Sequence, residues 1–522
     1  MPVGHGPLRY LVIRALAFAI DCIAPVSIAY TLYALVNHYN GTRHGIVFDG
    51  TWTNVFYTML LPIWFVFETA FYVWMLWQRQ RFQAMKDVPG LDNDRRRFMF
   101  GRMLKTISQR RFPHFLATQF MWKDCYTQLT SEEIEEVYMD NVKEWAAWAF
   151  FSKPSWKHVL ESPNGKQLAL EGEEMIDNMA FRKGIVFQEG YNEKIRTVTI
   201  SYNPVEAFPK PLLLYAVVAL LEFGARCIFR MLGFQRYPAH RTDLAPDMPE
   251  RGITYWLRMP KGNTVDARRR RKREESDLPI VFIHGLGGGL WCYLKFIGKL
   301  WWTQSARPIY LVELPHVSMR LVQSSPDPDT TVRELVAMLR RHAHDSATFI
   351  GHSLGSAYVA YMINHTKAVA GVVMIDPVCF NIYDANLLYN FVHRRPGAGG
   401  KPLKANEFLV YWLVSRELYI SQWISRQFLW YRAHCLTSSL PSSAHIFLAG
   451  KDNIIDTSTV KTYLDDHDAS YTYYENLDHA QFLLSEKIEW EIVDKIGSVC
   501  KNAAKEWGRK SGADRRRRRM RR

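Results

Sequence analysis

ATFIGHSLGSAYVAYMI, residues Ala347 to Ile363, reads as a strand, a sharp turn and a helix. Inside it lies Gly351-His352-Ser353-Leu354-Gly355, a G-x-S-x-G pentapeptide. A turn this tight and strained needs small residues on both sides of its centre. It lifts the serine hydroxyl clear of the sheet and aims it outward. The pentapeptide alone is a weak signal. Between a strand and a helix it points to a nucleophile at Ser353 rather than to an ordinary strand-to-helix turn.

Short apolar runs flank this junction: ITYWLRMP, PIVFIHG, RPIYLVELP, AGVVMIDP and AHIFLAGKD. Each has the length and composition of a buried strand, and helical patterns separate most of them. This alternation predicts a mostly parallel sheet covered by helices on both faces, an α/β domain over residues 246–505. An insertion of about 65 residues, 377–443, interrupts the alternation. It is rich in aromatics, among them Phe380, Tyr383, Tyr389, Trp412, Trp423, Phe428 and Trp430. It predicts a helical lid over Ser353. Most of these rings only pack the lid, but the composition also suits an apolar acyl pocket.

A serine hydroxyl is a poor nucleophile at neutral pH and needs a base, and the base needs an acid to orient it. His479 follows the strand-like YTYY and precedes a helix, so it is the candidate base. Asp452 closes the AHIFLAGKD strand and is the expected acid. Asp376 closes the strand before the lid and is the alternative. Acyl transfer also needs two N–H donors aimed at the developing oxyanion. The backbone of Leu354, next after the serine, is one candidate. The backbone of Leu286, in the loop His284-Gly285-Leu286-Gly287-Gly288-Gly289, is the other. A dinucleotide cradle is disfavoured in that loop, because Leu290 stands where G-x-G-x-x-G requires a third glycine.

HGLGGG, GHSLG, GKD and the LDH before a helix resemble, in order, the oxyanion loop, elbow, acid and base of the α/β-hydrolase superfamily in its serine esterase and lipase branch. The resemblance covers about 250 to 505 and implies an acyl-enzyme on Ser353. The serine at the elbow disfavours the aspartate-dependent epoxide hydrolases and dehalogenases of that fold. Some relatives carry an aspartate five residues after the histidine, associated with acyl transfer; here Leu484 stands there. The architecture resembles uncharacterised membrane-anchored hydrolases.

Two apolar runs, Ala15–Val36 and Val55–Trp77, are each long enough to cross ~30 Å of hydrocarbon as a helix. They predict a two-span hairpin within residues 1–80; the alternative is a buried hairpin of a soluble domain. Asp21 and Glu68 would be costly in lipid unless they pair or face protein. Arg79, Arg81, Lys86 and Arg95 to Arg97 follow the second run, which puts both ends in the cytosol and the loop in the lumen of an endomembrane such as the endoplasmic reticulum. Asn40-Gly41-Thr42 in that loop is a glycosylation triplet. Residues 81–245 read as a mixed, mostly helical accessory region, with a helix start at Ser131 continuing into EWAAWAFF. Glu222, Arg226 and Arg230 stripe the apolar stretch 211–234 and predict an amphipathic helix, on the membrane or against the catalytic domain.

The net charge of +15 suits an anionic partner. No zinc-finger spacing is present and the aromatics sit in apolar blocks, so membrane is favoured and nucleic acid is not expected. The basic run Arg268–Arg273 reads as a solvated loop, with contact to anionic headgroups and a nuclear-localisation or nucleic-acid patch as the alternatives. The tail 506–522 reads as basic and disordered. Seven scattered cysteines without a CxxC argue against a disulfide framework. No cofactor and no metal is called for, and the oligomeric state is not legible. The expected activity is cleavage of a lipid carboxylic ester, an acylglycerol or phospholipid. The alternatives are an acyltransferase using the same acyl-enzyme and a non-catalytic scaffold.

Overall fold

In the computed structural model the strand-like runs close into one sheet. The structure describes residues 7–40, 55–85, 88, 90–238, 253–260, 278–322, 326–400 and 402–520. Lys86, Gly41, Thr42, the run Arg268–Arg273 and the end of the tail at 521–522 lie outside them. A short ribbon pairs β1 (Phe120–Trp122) with β2 (Ile195–Thr197). The main sheet contains β3 (Gln235–Tyr237), β4 (Tyr255–Arg258), β5 (Ile280–Ile283), β6 (Ile309–Val312), β7 (Ala347–His352), β8 (Val369–Ile375), β9 (Ala444–Ala449) and β10 (Tyr471–Tyr474), in the order β10-β9-β8-β7-β5-β6-β4-β3. β5 to β10 pair in parallel, while β4 is antiparallel to both β3 and β6. The central strands are buried along their whole length, as in β5 and β7, because helices cover both faces. β3 was not expected from the sequence. It is a three-residue polar edge strand, held where Tyr237 stacks on Tyr255 at 5.1 Å.

The order of the strands locates the site. β6 leaves on one side of β5 and β7 returns on the other, so the connections after β5 and β7 diverge at their carboxyl ends, where such sheets bind ligands. Ile283 pairs with Gly351, which brings the glycine-rich loop against the serine turn.

The N-terminal helix breaks between Asp21 and Ile23, since Pro25 cannot donate to the Asp21 carbonyl. It packs on the helix Leu61–Arg81, with Tyr30 against Phe65 and the hydroxyls of Thr31 and Thr69 at 3.1 Å. Among the described residues, two helices are long and apolar enough to cross a membrane: Leu8–Tyr39 and Leu212–Met231. That pair differs from the expected one. Glu68 and several rings dilute the apolarity of Leu61–Arg81, whereas the charges of Leu212–Met231 cluster toward its end. Both acids of the hairpin face protein. Asp21 accepts from Trp412 of the lid, and Glu68 accepts from the backbone of Leu212 and Leu213.

Residues 81–245 do not fold apart. Phe115, Trp145 and Phe150 share one hydrophobic core with Tyr358 of the catalytic domain and Trp430 of the lid. The start expected at Ser131 is capped one residue earlier, by Thr130, and its short turn ends before a separate helix, Met139–Phe151. The expected disorder from 506 is corrected. The last helix runs Glu486–Met520, and Val499, Cys500, Ala503 and Ala504 seat it on the sheet.

Candidate active site

Ser353 sits between β7 and the helix Leu354–His365 with φ 51 and ψ −121, a conformation that costs energy for any residue with a Cβ. The surrounding glycines permit it. A Cβ on Gly355 would come 2.1 Å from the Ile283 carbonyl oxygen, and one on Gly351 would come 2.7 Å from the backbone of Gly355. The turn is pinned by the Ser353 N–H donating to the Ile375 carbonyl, and by the Ser356 hydroxyl donating to the Ser353 carbonyl.

The sequence-predicted groups meet here. Ser353 Oγ lies 2.9 Å from His479 Nε2, and His479 Nδ1 lies 2.7 Å from Asp452 Oδ2. The other oxygen of Asp452 accepts the N–H groups of Ile454 and Ile455, both at 2.8 Å. A carboxylate held this way accepts from Nδ1–H and leaves Nε2 free to accept the serine proton. Burial opposes a charge on His479, but the carboxylates of Asp452, Asp376 and Asp478 outweigh it and raise the imidazole above its ordinary value. Asp376 stands apart from this chain. It accepts the Ala480 N–H at 2.8 Å and lies 3.7 Å from His352 Nε2. Among the described residues, Asp376, Asp452 and His479 also form a group whose ligand atoms lie close enough to hold a metal, within 4.8 Å of one another. His479 is already committed on both nitrogens, so the set fits a hydrogen-bonded chain better than an ion.

The N–H of Leu354 opens a helix, where first-turn amides lack intrahelical partners. Gly287 N–H is spent on the Val317 carbonyl. Among the described residues, neither Leu286 nor Leu354 donates to another backbone group. Beneath them, His284 donates from Nδ1 to the Gly285 carbonyl and accepts the Leu314 N–H at Nε2. Only a neutral ring can do both, and burial pushes His284 down to about 4. The Tyr293 hydroxyl ties the Gly285 N–H to His352 Nδ1.

Ser353 and His479 open into a mostly apolar cavity of about 650 Å³. Of the lid aromatics singled out, Trp423 and Phe428 line it. The others pack elsewhere: Phe380 on Tyr463, Tyr383 on Phe115, Trp430 on Phe150, Tyr389 to the Tyr126 carbonyl and Trp412 to Asp21. Two contributors escaped the sequence reading. Asp478 accepts from His479 N–H at 2.7 Å, Asn453 N–H at 2.9 Å and Asn406 Nδ2 at 2.7 Å, tying base loop, acid loop and lid together. Its place beside the histidine was the available signal. Leu214, Val217, Val218 and Leu221 of the helix Leu212–Met231 also line the cavity.

Residues 280–484 match the family described as alpha/beta hydrolase. No curated protein matches the sequence. Similar solved structures include a membrane phospholipase A, described as a bacterial virulence factor, with 18% identity and TM-score 0.36, covering 55% of this chain and 94% of its own. A putative lipase from Acinetobacter baumannii has 15% identity and TM-score 0.37, over 54% of this chain and 97% of its own. A monoacylglycerol lipase from Paleococcus ferrophilus has 15% identity and TM-score 0.30, over 43% and 96%.

Proposed function

From a chain whose residues 280–484 form an α/β-hydrolase domain, we propose a membrane-anchored serine hydrolase that cleaves a lipid carboxylic ester. The observation that carries the reading is the hydrogen-bonded chain Ser353–His479–Asp452 at the floor of an apolar cavity. Ser353 Oγ attacks the ester carbonyl while His479 Nε2 takes its proton. Asp452 stabilises the imidazolium. The N–H groups of Leu286 and Leu354 receive the oxyanion, a contribution of about 3 kcal/mol for each donor by analogy with single-donor deletions. His479 returns the proton to the departing alcohol, leaving an acyl-enzyme. Water, activated by the same histidine, then releases the acid.

The anchor reading rests on exposed apolar surface. Leu11, Leu16, Phe18, Leu32, Phe67 and Val73 of the hairpin helices are each at least half exposed, an area that needs a cover other than water. Bilayer hydrocarbon is that cover, with the basic flanks placing the catalytic domain on the cytosolic side. Fluorophosphonate labelling of wild type and Ser353→Ala protein in membranes tests the chemistry. Labelling that persists on the variant ends it.

A further inference from the structure

The helix Leu212–Met231 lies outside the residues matched to the hydrolase family, yet it forms one side of the cavity over Ser353. Leu214, Val217, Val218 and Leu221 have the spacing of a single helix face. Val218 is 6% exposed and packs in the core that also holds Trp423 and Phe428. The helix is held at three places by three different segments. Glu68 of the hairpin accepts the N–H of Leu212 at 2.7 Å and of Leu213 at 3.3 Å, closing amides that a helix start leaves open. The Tyr215 hydroxyl donates at 2.6 Å to Glu417, which itself caps the lid helix Leu418–Gln427 through the Ile420 N–H. Glu222 pairs with Arg226 at 2.7 Å and with Arg320 of the catalytic domain.

The cavity surface is mostly aliphatic and aromatic carbon, which suits an acyl chain rather than a polar headgroup. We infer that the acyl chain of the substrate lies against the Leu214–Leu221 face of this helix, and that the size of the residues on this face limits the chain admitted. The inference rests on the acyl-enzyme reading of Ser353. It makes the hairpin, through Glu68, part of the support of the substrate site as well as an anchor.

The test compares Val217→Trp with Leu220→Trp in the full chain, solubilised in detergent. Val217 lines the cavity, whereas Leu220 is 69% exposed on the outer side and does not line it. Two readouts are taken: the ratio of p-nitrophenyl palmitate to p-nitrophenyl butyrate hydrolysis, and the affinity of a fluorescent long-chain fatty acid for each variant in a Ser353→Ala background. Val217→Trp is expected to lower the ratio and weaken the fatty acid at least about tenfold, roughly what two buried methylenes contribute. Leu220→Trp is expected to change neither by more than about twofold. An unchanged ratio and affinity in Val217→Trp, or equal losses in both variants, overturns the wall. Weakened fatty-acid binding in a protein whose hydrolysis does not depend on Ser353 supports the wall and sinks the proposed chemistry instead.

Discussion

Trp412 donates its indole N–H to both carboxylate oxygens of Asp21, at 2.9 and 3.1 Å, across 391 positions of sequence. The Lys210 ammonium lies 3.7 Å from the same carboxylate and 3.8 Å over the Trp412 ring. A hairpin residue, a residue of the accessory region and a lid residue therefore share one contact, and Lys210 is fully buried in it.

Asp21→Ala takes from that ammonium a carboxylate that is itself 46% exposed, while the Glu417 carboxylate still faces it. The variant should lose about 1 kcal/mol, read as a lower thermal midpoint in detergent. Lys210→Met in the same background should recover much of the loss. Additive losses in the double variant would show that the two residues do not interact.

Ser353→Ala and His479→Ala should each reduce ester hydrolysis by roughly 10⁴-fold or more, because members of a triad act as a unit. Steady-state turnover of a water-soluble ester reads the effect. Folded Ser353→Ala protein with normal turnover would remove the mechanism.

Asp452→Asn should cost about 10⁴-fold, since Asp452 alone reaches His479 Nδ1. Asp376→Asn should cost far less, because Asp376 supports the Ala480 backbone rather than the ring. Kinetics of the two variants side by side decide it, and the reverse ranking would move the acid to the end of β8.

The pH profile has a defined sign. His479 must be neutral to take the serine proton, and its neighbouring carboxylates raise it despite burial. kcat/KM should therefore rise with pH, with a midpoint above the ordinary imidazole value of about 6.5. Asp376→Asn should lower that midpoint. A wild-type midpoint below the ordinary value would contradict the assignment.

Asn40 should carry sugar in a eukaryotic host and Asn364 should not. Asn364 lies on the helix after Ser353, and its Nδ2 donates to the His434 carbonyl at 2.8 Å. Glycosidase-sensitive mass shifts in wild type, Asn40→Gln and Asn364→Gln read the topology. Sugar on Asn364 would put the catalytic domain in the lumen.

The sequence alone determined the parts of this protein that obey local rules. Period and strand length marked β4 to β9, and the small residues that a tight turn needs on either side of Ser353 marked the turn. The order of serine, acid and histidine followed from which strands must end near one another. The choice of Asp452 over Asp376 rested on strand order; in the structure Asp452 Oδ2 lies 2.7 Å from His479 Nδ1. The tertiary structure decided what depends on distant partners. Glu68 read as a charge that must pair or face protein, and its partners are amides about 140 positions away. Glu222, Arg226 and Arg230 read as the polar stripe of a helix lying either on the membrane or against the catalytic domain, and only the contact of Arg320 with Glu222 chooses the second for that part of the helix. Leu214 and Val218 looked like one more apolar face, and no local pattern tells a cavity wall from a core contact. That difference is made only when the lid, the hairpin and the sheet close around the same space.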